Sequence, residues 1–203
     1  MGSIAVGQGQ LLDAPPVRRL IVPQGHSAWW GADLGTTRLA LAYVDAEGRR
    51  GVHTAPFAAL KGAARLSHIY SETRLTVMTL AECGWPPAGA LMTEQTSGSS
   101  QSVNLPFIMA AGAIHAGLYD GLREAYGHAE IETCVSSHWK LVSCGAGNLY
   151  KPKRVKGQPK PALTEYAVFR WARDRGWCPL DWNEADAAGM ADCARREIAL
   201  EER

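Results

Sequence analysis

Hydrophobic and polar positions first fall into a regular order at Ala28. The run AWWGADLG carries apolar residues up to Asp33 and turns at Gly35. RLALAYVD follows, with Leu39, Leu41 and Tyr43 on one parity and Ala40, Ala42 and Val44 on the other. This predicts a buried strand and a second strand paired to it. Glu47-Gly48 reads as a turn, and Gly51 to Phe57 completes a three-stranded meander. From Leu60 to Cys83, Leu66, Ile69, Tyr70, Leu75 and Met78 recur at helical spacing, and Gly84, Pro86 and Pro87 stop that helix. Ala88 to Thr93 is too short an apolar run for a helix, so it is the fourth strand, ending at Glu94.

The polar loop TSGSSQS precedes a long helix predicted over Leu105 to Tyr126. Its small residues, Ala110, Ala111, Ala113, Ala116 and Gly117, would let the sheet or a second subunit approach closely. Ile131 to Val135 is a fifth strand and Ser136 to Ser143 a short helix. Leu163 to Arg175 is predicted helical with Leu163, Ala167 and Trp171 on one face. Asn183 to Leu200 is the last helix, its stripe made of Ala187, Met190, Ala191, Ala194 and Ile198. Strands in that alternation with helices predict an α/β domain with a mixed five-stranded sheet flanked by helices.

Composition narrows this little. A chain of 203 residues, 46% hydrophobic and 20% charged, suits one globular domain. Residues 1–27, rich in Gly, Gln and Pro, read as a flexible arm, and 28–203 as the domain; Arg18 and Arg19 in the arm are candidate partner contacts. The net charge of +1 supplies no global field toward nucleic acid, so such binding needs a local patch. Five scattered cysteines without a C-x-x-C pair argue for free thiols, and against a zinc knuckle or a disulfide framework. No apolar run is membrane-spanning and no signal peptide is visible, so the expectation is a cytoplasmic protein without membrane contact.

Three acids stand where such a fold collects functional groups: Asp33 and Glu94 at strand ends, Asp186 in the first turn of the last helix. Converging carboxylates raise one another's pKa, and a hard divalent cation resolves the repulsion. Each acid also has a plain structural explanation. Asp33 initiates a turn, Glu94 is a solvated strand end, and Asn183 with Asp186 forms a helix cap with an acid in the first turn. Lys151 to Lys160, KPKRVKGQPK, concentrates Lys151, Lys153, Arg154, Lys156 and Lys160 without an acid. It is a solvated face or a phosphate-tracking loop, with Arg170, Arg173 and Arg175 close in sequence. The histidines show no paired ligand spacing and, His138 apart, read as structural or surface residues. Trp29, Trp30, Trp139, Trp171 and Trp182 read as core, Trp139 drawing notice because it adjoins Lys140.

From Trp29 to Ala194 the chain resembles the RuvC-type Holliday junction resolvases of the RNase H-like superfamily, particularly diverged phage versions. The resemblance is carried by GADLGTT, ALMTEQTSG, the polar residues from Gln101 to Asn104, SSHWKLVSCGAG and NEADAAGMA, in that order. It implies an RNase H-like fold and a metal-dependent endonuclease acting as a homodimer on branched DNA in a bacterial or phage-infected cell. Asp33 would bridge two Mg²⁺ (or Mn²⁺) ions, with Glu94 and Asp186 completing the ligands. Lys140 would lie near the scissile phosphate, and Ser99, Gln101 and Asn104 would contact DNA with the basic loop. Family chemistry would leave a 5′-phosphate and a 3′-hydroxyl.

The chain departs from the family pattern in three places. Asn183 stands where an acid or histidine is common, making it a weak metal ligand or a cap. Its neighbour Glu184, about 100° round the helix, is expected behind the ligands or facing solvent. The basic stretch is longer than the usual link, and the arm has no counterpart. Other readings remain open. They are an RNase H-like nuclease for flaps or RNA–DNA hybrids, an inactive junction-binding module, and an actin-like ATPase, whose phosphate loop GADLGTT resembles but whose second half the chain lacks.

Overall fold

The structure, a computed structural model, describes residues 28–95, 105–153 and 155–201. Residues 1–27, Ser99, Gln101, Asn104 and Arg154 lie outside the described residues, and so do the expectations placed on them. Five strands form one sheet in the order β3-β2-β1-β4-β5. These are β1 (Ala28–Leu34), β2 (Arg38–Asp45), β3 (Arg50–Pro56), β4 (Ala88–Glu94) and β5 (Ile131–Cys134). The first three pair antiparallel, while β4 and β5 add parallel to β1. The helices are α1 (Gly62–Glu82), α2 (Leu105–Tyr126), α3 (Ser136–Cys144), α4 (Ala167–Asp174) and α5 (Trp182–Glu201).

Period-two alternation divides the central strands between two cores. Ala28, Trp30, Ala32 and Leu34 of β1, with Leu39 and Leu41 of β2, face the core beneath α1 and α2. Trp29, Ala40, Ala42, Val44 and Met92 face the opposite core, built from α3, α4 and α5. Asp33 therefore belongs to the α5 side of the sheet, as does Glu94, two residues after Met92. α5 crosses β1 so closely that a Cβ on Gly31 would stand 2.1 Å from the Ala187 carbonyl oxygen and 2.5 Å from the Ala191 nitrogen. Only glycine permits that approach, and it brings the first turns of α5 over the end of β1.

Several expectations are corrected. The glycines of α2 meet α1: a Cβ on Gly117 would meet the Tyr70 carbonyl oxygen at 2.6 Å, and one on Gly121 the Val77 side chain at 2.9 Å, while Ala110 and Ala111 join the core shared with the sheet and Ala116 is exposed. The predicted helix from Leu163 to Arg175 is broken, because Tyr166 is extended (φ −82°, ψ 119°) between a 3-10 turn at Leu163–Glu165 and α4. Its fully buried residues are Tyr166, Val168, Phe169 and Ala172, while Leu163 and Trp171 pack at the margin. The break turns the Tyr166 phenol toward α5. Among the described residues, no helix is long and apolar enough to cross a membrane.

Candidate functional site

Asp33 and Glu94 reach the same place because β1 and β4 are parallel neighbours in register from Trp29↔Ala90 to Ala32↔Thr93, one residue short of both acids. Adjacent strands lie ~4.8 Å apart, so the two carboxylates emerge side by side. The hairpin just beyond Asp33 is closed by the Gly35 N–H donating to the Arg38 carbonyl at 3.0 Å. Asp186 arrives from the first turns of α5 and is buried.

The partner of these acids is Lys151. Its Nζ lies 2.7 Å from Asp186 Oδ2 and 3.4 Å from Asp33 Oδ2, and it donates to Asn183 Oδ1 at 3.0 Å. Lys151, expected as the first residue of a DNA-tracking loop, thus turns its side chain inward, and the ammonium occupies the space between two carboxylates. Lys153, Lys156 and Lys160 are exposed, as a loop available to phosphates requires.

Electrostatics make these groups one centre. Burial pushes the Asp33 carboxyl up to about 7; Lys151 pulls it back, and the charges of Asp186 and Glu94 add to the rise. For Lys151, burial works against the charge, yet Asp33 and Asp186 outweigh it and hold the ammonium above the ordinary lysine value. Two buried aromatic donors fix the remaining acids. The Tyr166 hydroxyl donates to Asp186 Oδ1 at 2.6 Å, and Trp139 Nε1 donates to Glu94 Oε2 at 3.3 Å. Burial, and then Asp186, keep the Tyr166 phenol far above its usual pKa, so it remains a donor.

Asn183 faces the centre and is not the helix cap. Asp181 is the cap, its Oδ1 accepting the N–H groups of Asn183 and Glu184 at 2.9 Å each. Glu184 does not face solvent either: it is buried, accepting from the Thr54 hydroxyl at 2.9 Å and the Leu180 N–H at 2.6 Å. That ties α5 to β3 and leaves Glu184 pointing away from the acids. Lys140 is buried on α3 with its Nζ 5.1 Å from the centre of the Trp139 ring, and among the described residues it pairs with none of the three acids. Tyr166 and the Trp139–Glu94 bond carried no sequence signal, since an aromatic in a helical pattern looks like core whether or not its polar atom is used.

Asp33, Asp186 and the Asn183 amide oxygen around the ammonium, with Glu94 acting on Asp33 from the next strand, form an all-oxygen donor set. That set fits a hard divalent cation and no soft one. Asp33 lies between Glu94 and Asp186 in the electrostatic sense, coupled to both.

No protein-family model matches the chain, and no curated protein matches it. Among solved structures, Thermus thermophilus RuvC superposes with a TM-score of 0.57 at 17% identity, over 86% of this chain and 96% of that one. T. thermophilus RuvC in complex with Holliday junction substrate gives 0.54 at 17%, over 85% and 98%. The yeast mitochondrial Holliday junction resolvase Ydc2 gives 0.45 at 14%, over 85% and 79%. The chain shares the RNase H-like fold of RuvC, with the mixed five-stranded sheet and flanking helices predicted from its hydrophobic pattern.

Proposed function

We propose that this protein is a metal-dependent endonuclease that cuts branched DNA, the four-way junction being its substrate. The observation that carries this reading is the meeting of Asp33, Glu94 and Asp186 on one face of a RuvC-like sheet, with only Lys151 among the described residues as cationic partner. Asp33, Glu94, Asp186 and Asn183 would hold two Mg²⁺ or Mn²⁺ ions. When bound, such ions supply an activated water and stabilise the leaving oxygen of an in-line phosphodiester displacement.

The chain's own residues do the rest. Tyr166 and Trp139 keep Asp186 and Glu94 aimed by donating to one oxygen of each. Rigid outer partners of this kind hold ligands in their binding geometry. Lys151, once its acids have another counter-charge, is free to pair with the phosphate being cut and to offset charge developing there. Lys153, Lys156 and Lys160, exposed in the stretch that follows Lys151, would pair with phosphates of the DNA backbone. Lys140, stacked on Trp139, would act through the position of that ring instead of touching the phosphate.

The test is incubation of purified protein and Mg²⁺ with a labelled four-way junction beside matched duplex, flap and RNA–DNA hybrid. The expected result is cleavage of the junction ahead of the others, with Asp33→Asn binding the junction normally and cutting at least ~100-fold more slowly, as for loss of a group acting only in the transition state. Full cleavage by Asp33→Asn removes the site. Preference for hybrid or flap keeps the nuclease but moves it to another substrate.

A further inference from the structure

A second cluster of metal-ligating side chains, none of them among the three acids, plays no part in the reading above. His138 of α3, Cys193 and Glu197 of α5 each present a donor atom, and these atoms all lie within 4.8 Å of one another. His138 Nε2 and Glu197 Oε1 are in direct hydrogen-bond contact. Cys193 and Glu197 are four residues apart, hence on one face of α5, and His138 approaches that face from α3. The Cys193 thiol is fully buried, and burial, followed by Glu197, lifts its pKa well above the ordinary value. Cys134, the last residue of β5, stands four positions before His138. Its thiol is pushed up to about 12 by burial and then by Glu197, and it acts in turn on Cys193. A second thiol thus borders the same spot.

We propose that His138, Cys193 and Glu197 form a Zn²⁺ site, with Cys134, which packs against the same core, a candidate for the fourth ligand. The donor chemistry selects the ion. Imidazole nitrogen, thiolate sulfur and carboxylate oxygen together suit tetrahedral zinc and do not suit Mg²⁺ or Ca²⁺, which the all-oxygen set takes. Zinc bond lengths of ~2.0–2.3 Å put tetrahedral ligand atoms about 3.3–3.8 Å apart, so an ion entering the cluster draws the donor atoms in from their wider spacings and parts the His138 and Glu197 atoms from their hydrogen bond. Binding replaces the Cys193 S–H bond with a sulfur–zinc bond, and the displaced proton leaves to solvent past the exposed His138. Without the ion, the arrangement is a His–Glu pair beside a buried thiol.

Position gives the site a consequence. Trp139 follows His138 and donates to Glu94, so an ion joining α3 to α5 also holds the tryptophan that aims Glu94. The site stands whether or not the nuclease reading holds, because its test reads metal content and not cleavage.

Full-length protein is dialysed with Zn²⁺, then assayed for bound zinc by mass spectrometry and for affinity by competition with a chromophoric chelator. Co²⁺ replaces Zn²⁺ in a parallel sample to read the thiolate-to-cobalt absorption. The expected result is one zinc per chain and a thiolate absorption, both retained in Asp33→Asn. Affinity falls at least tenfold in Cys193→Ser and in Glu197→Gln. If Cys193→Ser fails to fold, Glu197→Gln decides alone, since that side chain sits at the surface end of the cluster. Wild type that binds no zinc at micromolar concentration overturns the proposal, as does cobalt without a thiolate absorption or equal zinc binding in Glu197→Gln.

Discussion

A single ammonium bonded to three oxygen acceptors is the feature on which the proposed metal chemistry of the site turns. Lys151 Nζ sits 2.7 Å from Asp186 and 3.4 Å from Asp33, where unit charges interact by several kcal/mol at an effective dielectric near ~20. An ion entering between those carboxylates must displace it. Lys151→Met is therefore expected to bind Mn²⁺ about tenfold more tightly, equivalent to ~1.4 kcal/mol, by isothermal titration. Its Tm in chelator should fall, because Asp33 and Asp186 lose their counter-charge, and the rise in Tm on adding Mn²⁺ should widen. Equal Mn²⁺ affinity in variant and wild type would mean that the ammonium does not compete with the ion. The acids were legible in the sequence because strand ends and a helix start announce themselves by pattern. Lys151 was not, because a lysine in a basic run carries no sign of which way it faces. Cys193 and Glu197 share a helix face, but their partner His138 comes from another element, and one-dimensional spacing does not register that meeting.

At the scale of elements, the site is assembled by the closeness of α5 to β1. Any side chain at Gly31 would intrude on the Ala187 carbonyl and the Ala191 nitrogen, both backbone atoms that cannot rotate away. Gly31→Ala is expected to lower stability by about 1–3 kcal/mol, the usual range for an overfilled core, in urea unfolding. A weaker Mn²⁺-induced rise in Tm should accompany it as Asp186 is lifted from Asp33. Unchanged stability with unchanged metal response would show that α5 has slack over β1. Strands β1 to β5 and helices α1, α2, α3 and α5 were readable within a residue or two, since each carries a single period over its whole length. The break at Tyr166 was not, because the apolar spacing runs through it unbroken. What stops the helix there is tertiary, the phenol reaching Asp186 and the ring packing against Trp182 at 5.8 Å between centroids. The use of Gly117 on α2 was equally hidden: sequence shows that something approaches closely, and packing decides that it is α1.

For the whole molecule, the open question is what covers the outer face of α2. With Gly117 and Gly121 turned to α1, that helix presents Leu105, Ile108, Met109 and Tyr119 to solvent, at 58%, 41%, 47% and 47% exposure. Among them lie Gly112, where an added Cβ would meet nothing within 4 Å beyond its own helix, and Ala116. At 100° per residue these six positions share one face running about 21 Å along the axis, an apolar strip with a shallow waist at Gly112 and Ala116. Two copies crossing at that waist would bury both strips by a two-fold, self-complementary contact. A homodimer of the kind implied by the resemblance to junction resolvases would use this strip, on the face of the sheet opposite Asp33, so that each copy would keep its acid centre open to its own DNA strand. The double substitution Ile108→Glu and Met109→Glu places charge on both sides of the strip. Light scattering after gel filtration is expected to give twice the 21.9 kDa chain mass for wild type and the single-chain mass for the variant. Because the metal site lies across the sheet, the variant should keep its Mn²⁺-induced rise in Tm while losing paired cutting of a four-way junction. Wild type eluting at single-chain mass across micromolar concentrations would leave the strip to another partner and the junction to a monomer.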